Sequence, residues 1–520
     1  MVWKEIRAFA ARYPLLTNLL VLATLYTLAY LAERSAPGGR GAASLGWWGW
    51  YDQGAYLRSA EALSVGNLTP DQHTYPILYP ALGSLFIRLL RLHLFVPVNL
   101  AGLLVTIGVF ITVAGAHVRM RWAAGLFWLS VLMLPFVYRQ YTIPWNSTLA
   151  GALLALLIWE LHGGAGLPGK SGAWRCFRFT LVAFLLVPTR PLDALASAPL
   201  CLMFLYRLAR TSRTGSPRWG ARSWLQRIGG AALGAAPGIL IFLGFNLLSS
   251  GNLAGRYVTD RIDARQVYEL HLLPMKVVAF LFDSGTVHGD AASSFLSHYP
   301  WLILTLMGMA VMVACGNSLL RAVALTVMLQ MMLYLPFTNF MPQSLWRYGN
   351  IHYYKWFAPY AVLIPLVAAM LVYREWHRPR VRYAALGAMA LMLAVSCVGF
   401  RADPVAMDLR VRDGQHIDIA NPAGNAADFF SLRGTVEPFE AAYMGDHVLR
   451  AGSRELIAVR DFRVVPTASG ARVIFMKPFS AARAELQLTP ETTMHVEAAP
   501  SAQRYAFTFG VPRWLWRSRD

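Results

Sequence analysis

The stretch Pro76-Ile77-Leu78-Tyr79-Pro80-Ala81-Leu82-Gly83-Ser84-Leu85-Phe86-Ile87-Arg88-Leu89-Leu90-Arg91-Leu92 is apolar enough to suggest a membrane span, and its reading decides on which side every later segment lies. About 20 apolar residues cross a bilayer as a helix. Apolar runs occur near 14–32, 96–116, 122–137, 147–161, 177–189, 191–206, 228–249, 301–320, 322–337, 357–373 and 383–400. The first is long for the apolar core of a secretory signal and is read as an uncleaved span. If 76–92 also crossed, the Arg-rich stretch 207–227 would fall outside, against the tendency of basic loops to stay in the cytoplasm. Laid flat on the membrane, with Arg88 and Arg91 reaching the headgroups, the segment leaves eleven spans. Cytoplasmic segments then hold 19 of the 32 basic residues before 401, against two acidic ones, Glu5 and Glu375.

Composition agrees with a membrane protein. Of 520 residues, 56% are hydrophobic and 14% charged, against roughly 25% charged in soluble domains. The mean hydropathy is +0.42. A soluble globular, disordered or collagen-like chain is excluded on these figures. The formal charge of +20 does not point to nucleic acid, because the basic residues are divided among separate loops without a reading module. Cys176, Cys201, Cys315 and Cys397 have no CxxC spacing and suggest neither a zinc site nor a disulfide framework.

In the eleven-span frame three connections on the exterior face are long, 33–95, 250–300 and 338–356, and long structured loops usually carry function. From about 401 the apolar runs stop. Short β-like runs at 456–459, 462–465, 471–475 and 504–509 are separated by Gly and Pro, as in a small β-rich domain. The expected architecture is therefore a polytopic α-helical membrane protein with about 11 transmembrane helices over residues 1–400, followed by an exterior β-rich domain over 401–520.

The first exterior loop reads Trp47-Trp48-Gly49-Trp50-Tyr51-Asp52-Gln53-Gly54-Ala55-Tyr56-Leu57-Arg58, with helical periodicity over 52–63 that puts Tyr56, Ala60 and Leu63 on one face. Asp52 stands where a helix N-cap is expected, and capping alone would account for an Asp there. The three tryptophans suit a bilayer interface. Tyr51-Asp52-Gln53-Gly54-Ala55-Tyr56, then Gly66-Asn67-Leu68, then Tyr75-Pro76-Ile77-Leu78-Tyr79-Pro80 resemble the first periplasmic loop of the glycosyltransferase-C superfamily, polytopic enzymes that use polyprenyl-phosphate-linked sugars. In that family an Asp follows the first span, then an amphipathic helix, then a "YPPL"-like stretch opening a juxtamembrane helix. The layout is similar over residues 1–400 and the motif content lies mainly in 47–92. Some branches carry Asp-Glu where this chain has Asp52-Gln53.

The resemblance implies a GT-C-like catalytic domain over 1–400, a periplasmic carboxyl-terminal domain and placement in a bacterial inner membrane. It implies Asp52 as the general base in transfer of a sugar to an acceptor hydroxyl on a periplasmic glycan, glycolipid or protein. Hexoses, arabinofuranose and aminoarabinose are donors within the superfamily. No metal-ligand set is assigned, and a divalent cation is the one cofactor left open beside the lipid-linked sugar.

Phosphate stabilisation calls for cations, which pair with phosphate through charge-assisted bonds. Gln343-Ser344-Leu345-Trp346-Arg347-Tyr348-Gly349-Asn350-Ile351-His352-Tyr353-Tyr354-Lys355-Trp356 gathers them with aromatic rings, and makes Arg347, His352, Tyr353 and Lys355 donor-binding candidates. A membrane-interface belt explains the Trp, Tyr and Lys equally, but not His352 or Asn350. Arg58 and Arg190 complete the candidate set. Arg190 precedes Pro191 in an Arg-Pro step that resembles a recurring family feature, and pairing with Asp193 is the competing account. Asp260, Arg261, Asp263, Arg265 and Glu269 read as a solvated helix face. Asp283, His288 and Asp290 match no metal spacing, and His73 near Asp52 is a further candidate partner. The competing function is a transporter or lipid-linked-sugar flippase without catalysis; the absence of an internal repeat and the placing of ionisable groups in loops argue against it.

Overall fold

A helix of 14 residues covers about 21 Å at 1.5 Å per residue, short of the roughly 30 Å hydrocarbon core of a bilayer. This length test overturns the expected count of spans. The computed structural model describes residues 12–38, 45–163, 172–214, 221–263, 270, 273–282, 294–336, 347–437, 446–458, 461–467 and 470–510. Among them, four helices are long and apolar enough to cross a membrane: Pro14–Ala32, Val96–Gly115, Trp224–Ser250 and Asn350–Glu375. The architecture of about 11 transmembrane helices, and the GT-C-like layout built on it, is corrected accordingly. What the four helices identify is a membrane protein.

The remaining apolar runs fail for local reasons. The run 122–137 is a helix Met120–Met133, which Leu134 ends with φ −131° ahead of Pro135. The run 191–206 breaks at Ser197 into Pro191–Ala196 and Ala198–Thr214. Gly172–Leu185 and Leu302–Cys315 have 14 residues each, and Ser318–Tyr334 has 17. Asn146–Gly163 is buried on nearly all sides and is polar at both ends, through Asn146, Ser147, Glu160 and His162. Pro379–Ser396 opens on Arg380 and Arg382, and the chain passes into strand at Val398. The segment 76–92 forms only the short helices Leu78–Ser84 and Ile87–Leu90 and a 3-10 turn Arg91–His93.

The chain divides into two compact units. The first comprises 1–260, 304–333 and 351–389. Its apolar surface is extensive: Leu16, Leu20, Leu25, Leu28 and Leu31 lie exposed along Pro14–Ala32, as do Leu225, Leu233, Leu240, Leu247 and Leu248 along Trp224–Ser250. Surface of this kind suits lipid rather than water. Gly172–Leu185 packs against Ala221–Ile239 through Gly230, Gly234 and Gly238, spaced four apart. A Cβ on Gly234 would lie 2.2 Å from the Phe177 carbonyl oxygen, so the two backbones touch because no side chain intervenes. Thr180 Oγ1 donates to the Ala231 carbonyl at 2.9 Å across the same contact. Beyond Pro237 the helix widens into a π-turn over Leu240–Gly244.

Under the first loop, Tyr56 of the helix Tyr51–Ser64 meets Tyr79 and Phe95, with ring centroids 5.3 and 6.4 Å away. Trp47 and Trp48 join this core with 1% and 8% of their surface exposed. They are core residues, so the interface-belt expectation fails for both, while Trp50 is 43% exposed.

The second unit comprises 261–303, 334–350 and 390–520. A carboxyl-terminal β domain is present within it, and the unit also takes in two segments that the sequence reading groups with the amino-terminal part. Ten strands form two antiparallel sheets: β1 (Val398–Val405), β2 (Asp408–Asp413), β3 (His416–Ala420), β4 (Ala427–Glu437), β5 (Val448–Ala451), β6 (Arg454–Ile457), β7 (Phe462–Thr467), β8 (Gly470–Phe479), β9 (Arg483–Gln487) and β10 (Thr493–Phe509). The first sheet runs β1-β10-β4-β8-β7 and the second β2-β3-β9-β5-β6. Alternation along β4 sends Phe430 into the core shared with Ile417, Leu449 and Leu486 of the second sheet. Its neighbour Phe429 faces the other way, onto Met275, Val278 and Ala279 of the helix Leu273–Leu281. The first sheet is thus covered on both faces. Lys276 of that helix is buried and donates to the Pro336 carbonyl at 3.3 Å.

Candidate active site

Trp50, extended at φ −85° and ψ 148°, starts the helix Tyr51–Ser64, so Asp52 is its second residue and not its cap. The side chain is half-buried and accepts a hydrogen bond from the Tyr75 hydroxyl. Its place in the first turn still favours a negative charge through the helix dipole. One turn on, Tyr56 is buried with its ring 5.0 Å from that of Tyr75. Burial, and then the Asp52 charge, push the Tyr56 phenol well above its ordinary value; Arg190 opposes them, and Tyr353 and Tyr257 add smaller upward effects. Tyr56 is therefore the point where Asp52, Arg190, Tyr353 and Tyr257 meet electrostatically.

Arg190 is brought there by the turn at Pro188, whose carbonyl accepts from the Leu78 amide at 2.9 Å. Its guanidinium lies 4.5 Å from the Tyr353 ring centroid and its Nε 3.5 Å from Asp193 Oδ2, with 8% of the residue exposed. Gln330 fixes this group. Its Nε2 donates to Asp193 Oδ1 at 2.9 Å and to the Tyr353 carbonyl at 3.2 Å, while its Oε1 accepts from Trp356 Nε1 at 3.0 Å. Arg190 thus makes the pair with Asp193 that is the competing account of this residue, and it also lies over the Tyr353 ring.

The other candidates sit differently. Lys355 is fully buried; its Nζ donates to the Gln140 carbonyl at 3.0 Å and to Thr148 Oγ1 at 2.6 Å, and lies 4.8 Å from the Tyr141 ring centroid. His352 is stacked on Trp145 at 3.9 Å, with Nδ1 2.8 Å from Ser147 Oγ. Both are close enough to Arg190 for its charge to act on them. Arg58 is exposed on the Tyr51–Ser64 helix. The side chain of Arg347 lies outside the described residues, as do those of Asp260, Arg261, Asp263, Arg265, Glu269, Asp283, His288 and Asp290.

His73 holds the loop that carries Tyr75. Its Nε2 is 2.9 Å from the Asn67 carbonyl, which can only accept, so the proton is on Nε2 and Nδ1 accepts from Ser59 Oγ at 2.8 Å. Burial lowers its affinity for a second proton, against the opposing Asn67 bond. This loop and residues 242–257 border a cleft lined by Tyr75, Phe242, Phe245, Asn246, Arg256 and Tyr257. Its free volume of about 10 Å³ admits a single water molecule. Arg256 pairs with Asp71 across it.

Sequence reasoning missed Tyr56, Gln330 and Tyr257 as members of this group. Gln330 carried a signal, being a lone amide within the apolar stretch 322–337; Tyr257 carried none. Among the described residues no three His, Cys, Asp or Glu converge. Compared with known proteins, the chain matches no family model and no curated protein.

Proposed function

We propose that the protein is a membrane glycosyltransferase that moves a sugar from a polyprenyl-phosphate donor to an acceptor hydroxyl, with Asp52 as general base. The observation that carries this reading is the half-buried Asp52 carboxylate bonded by Tyr75, whose ring packs on buried Tyr56, with the buried Arg190 guanidinium over the Tyr353 ring and near enough to act on Tyr56. The acceptor oxygen attacks the anomeric carbon as Asp52 takes its proton. The bond from that carbon to the phosphate oxygen breaks, and the electron pair leaves with the polyprenyl phosphate. Arg190 meets the developing phosphate charge through its planar fork. Tyr75 orients the Asp52 carboxylate, and Asp193, Gln330 and Tyr353 orient Arg190. Lys355 and His352 brace the wall behind them. The donor headgroup enters by parting the Tyr75 loop from residues 242–257, since the cleft at rest is too small for a sugar.

Purified protein incubated with labelled polyprenyl-phosphate sugars and candidate acceptors tests the reading. Asp52→Asn is expected to lower transfer by at least about 100-fold while membrane insertion and melting stay unchanged. Substantial transfer by that variant refutes the role of Asp52, and movement of the donor across the bilayer without sugar transfer identifies a flippase instead.

The same reading puts the protein in a bacterial inner membrane with the Asp52 loop on the periplasmic side; the periplasmic carboxyl-terminal domain expected from eleven spans does not carry over, since four spans put that domain on the same side as residue 215. A topology reporter fused near residue 215 should then read as cytoplasmic, since the basic stretch 207–227 follows the positive-inside tendency. An external signal there reverses the orientation and removes the site from the periplasm.

A further inference from the structure

Alternation along β10 puts Tyr505, Phe507 and Phe509 on one face of the strand. Tyr505 is covered there: its ring stacks on Phe429 at 4.5 Å, within the cluster that the helix Leu273–Leu281 forms with the first sheet. Four residues on, Phe509 is 77% exposed. The cover of this face therefore stops short of the end of the strand. A large apolar side chain held in water by a regular strand forgoes the free energy that burial would give it.

The bare end adjoins a second apolar element of the same unit. The helix Pro379–Ser396 passes into β1 with Cys397 alone between them. The Gly510 amide donates to the Cys397 carbonyl at 2.9 Å, and the Cys397 amide donates to the Leu393 carbonyl at 3.2 Å. Val398 stands opposite Phe509 in the pairing of β1 with β10. These bonds hold Phe509 beside the end of the helix, where Leu391 and Leu393 are exposed. Single exposed apolar residues are ordinary on a protein surface, whereas several gathered at one end mark a contact.

The sequence that follows indicates what makes this contact. After Gly510 come Val511-Pro512-Arg513-Trp514-Leu515-Trp516-Arg517-Ser518-Arg519-Asp520, which lie outside the described residues and are read by composition alone. Three arginines against one aspartate leave a formal side-chain charge of +2, and two tryptophans flank a leucine. Trp favours the boundary between acyl chains and headgroups, and Arg beside it pairs with anionic lipid. A bilayer offers apolar and anionic surface within a few ångströms of each other, and the four membrane-length helices already bring the chain to one.

We propose that the end of the β1–β10 pair at Phe509, with the tryptophans and arginines of 511–520, is a membrane-contact surface that docks the β domain on a bilayer of anionic lipid. The proposal rests on the membrane class of the protein and not on glycosyl transfer. The test introduces the photoreactive residue p-benzoyl-phenylalanine at Phe509, at Leu240 of the helix Trp224–Ser250 or at the exposed Arg454 of β6, in the full chain reconstituted in nanodiscs. Mass spectrometry after irradiation distinguishes a lipid adduct from a protein adduct. In phosphatidylglycerol discs Phe509 is expected to give a lipid adduct near the Leu240 yield and at least about fivefold above that of Arg454. Arg513→Gln combined with Arg517→Gln should lower the Phe509 yield by about fivefold in phosphatidylglycerol and leave it unchanged in phosphatidylcholine, a contrast that misfolding cannot produce. A lipid adduct at Leu240 with none at Phe509, or a protein adduct at Phe509 in its place, overturns the proposal. Equal Phe509 yields in the two lipids for the chain with its arginines intact overturn their role.

Discussion

Asp52 shows how far a single position can be read. Its presence after an aromatic turn was legible, but the expected cap was not, because one residue of helix phase separates the cap from the second position and only the backbone at Trp50 sets that phase. The hydroxyl that bonds Asp52 comes from 75, and the groups that act on neighbouring Tyr56 come from 190 and 353, an arrangement that no local spacing encodes. Lys355 marks the opposite limit. Beside aromatics it reads as a phosphate ligand, yet it is sealed between Gln140, Thr148 and Tyr141, from a different part of the chain. His73 yields a pH prediction. Its unfolded form titrates near 6.5, and burial holds the folded form below that. The unfolded chain therefore binds more protons in this window, so the contribution of His73 to stability is present above about pH 6.5 and is lost as pH falls through the folded value. Melting temperature measured from roughly pH 5 to 8 should fall at the acid end, and His73→Gln should flatten part of that fall. An identical slope in the variant shows that other groups set it.

Among elements, an apolar run of 14 to 18 residues looks the same whether lipid or protein surrounds it. Met120–Met133 and Asn146–Gly163 differ from true spans in length and end polarity, and those signals were outweighed by hydropathy. Strands were easier to read: 462–465, 471–475 and 504–509 fall inside β7, β8 and β10. The glycine row was also open to reading, since Gly230, Gly234 and Gly238 repeat every fourth residue. It supports a paired prediction. Gly234→Leu should destabilise the protein by about 1–3 kcal/mol, because the side chain meets the Phe177 backbone and the hydroxyl of Thr180. Gly229→Ala, which adds its methyl to open space, should be neutral or stabilising by up to about 1 kcal/mol. Chemical denaturation of both variants reads the difference, and equal losses would mean that the helix pair does not depend on close approach.

For the molecule as a whole, composition and hydropathy identified the membrane class, while the count of spans required the lengths of individual helices. The grouping of 261–303 with the carboxyl-terminal strands was not legible, because the apolar face of Leu273–Leu281 names no partner until Phe429 and Ile474 are seen beneath it. A chain ended after residue 397, before β1, should lose hydrogen-exchange protection across 273–281; retained protection would show that the helix is held by something other than the sheet. The same packing sets a schedule during synthesis. Val278 leaves the ribosome roughly 200 residues before Ile474, an interval of about 10–40 s at ordinary elongation rates. Through that interval the helix waits without its sheet, so premature termination anywhere between the two strands an adhesive segment, and quality control of the nascent chain has to act there first.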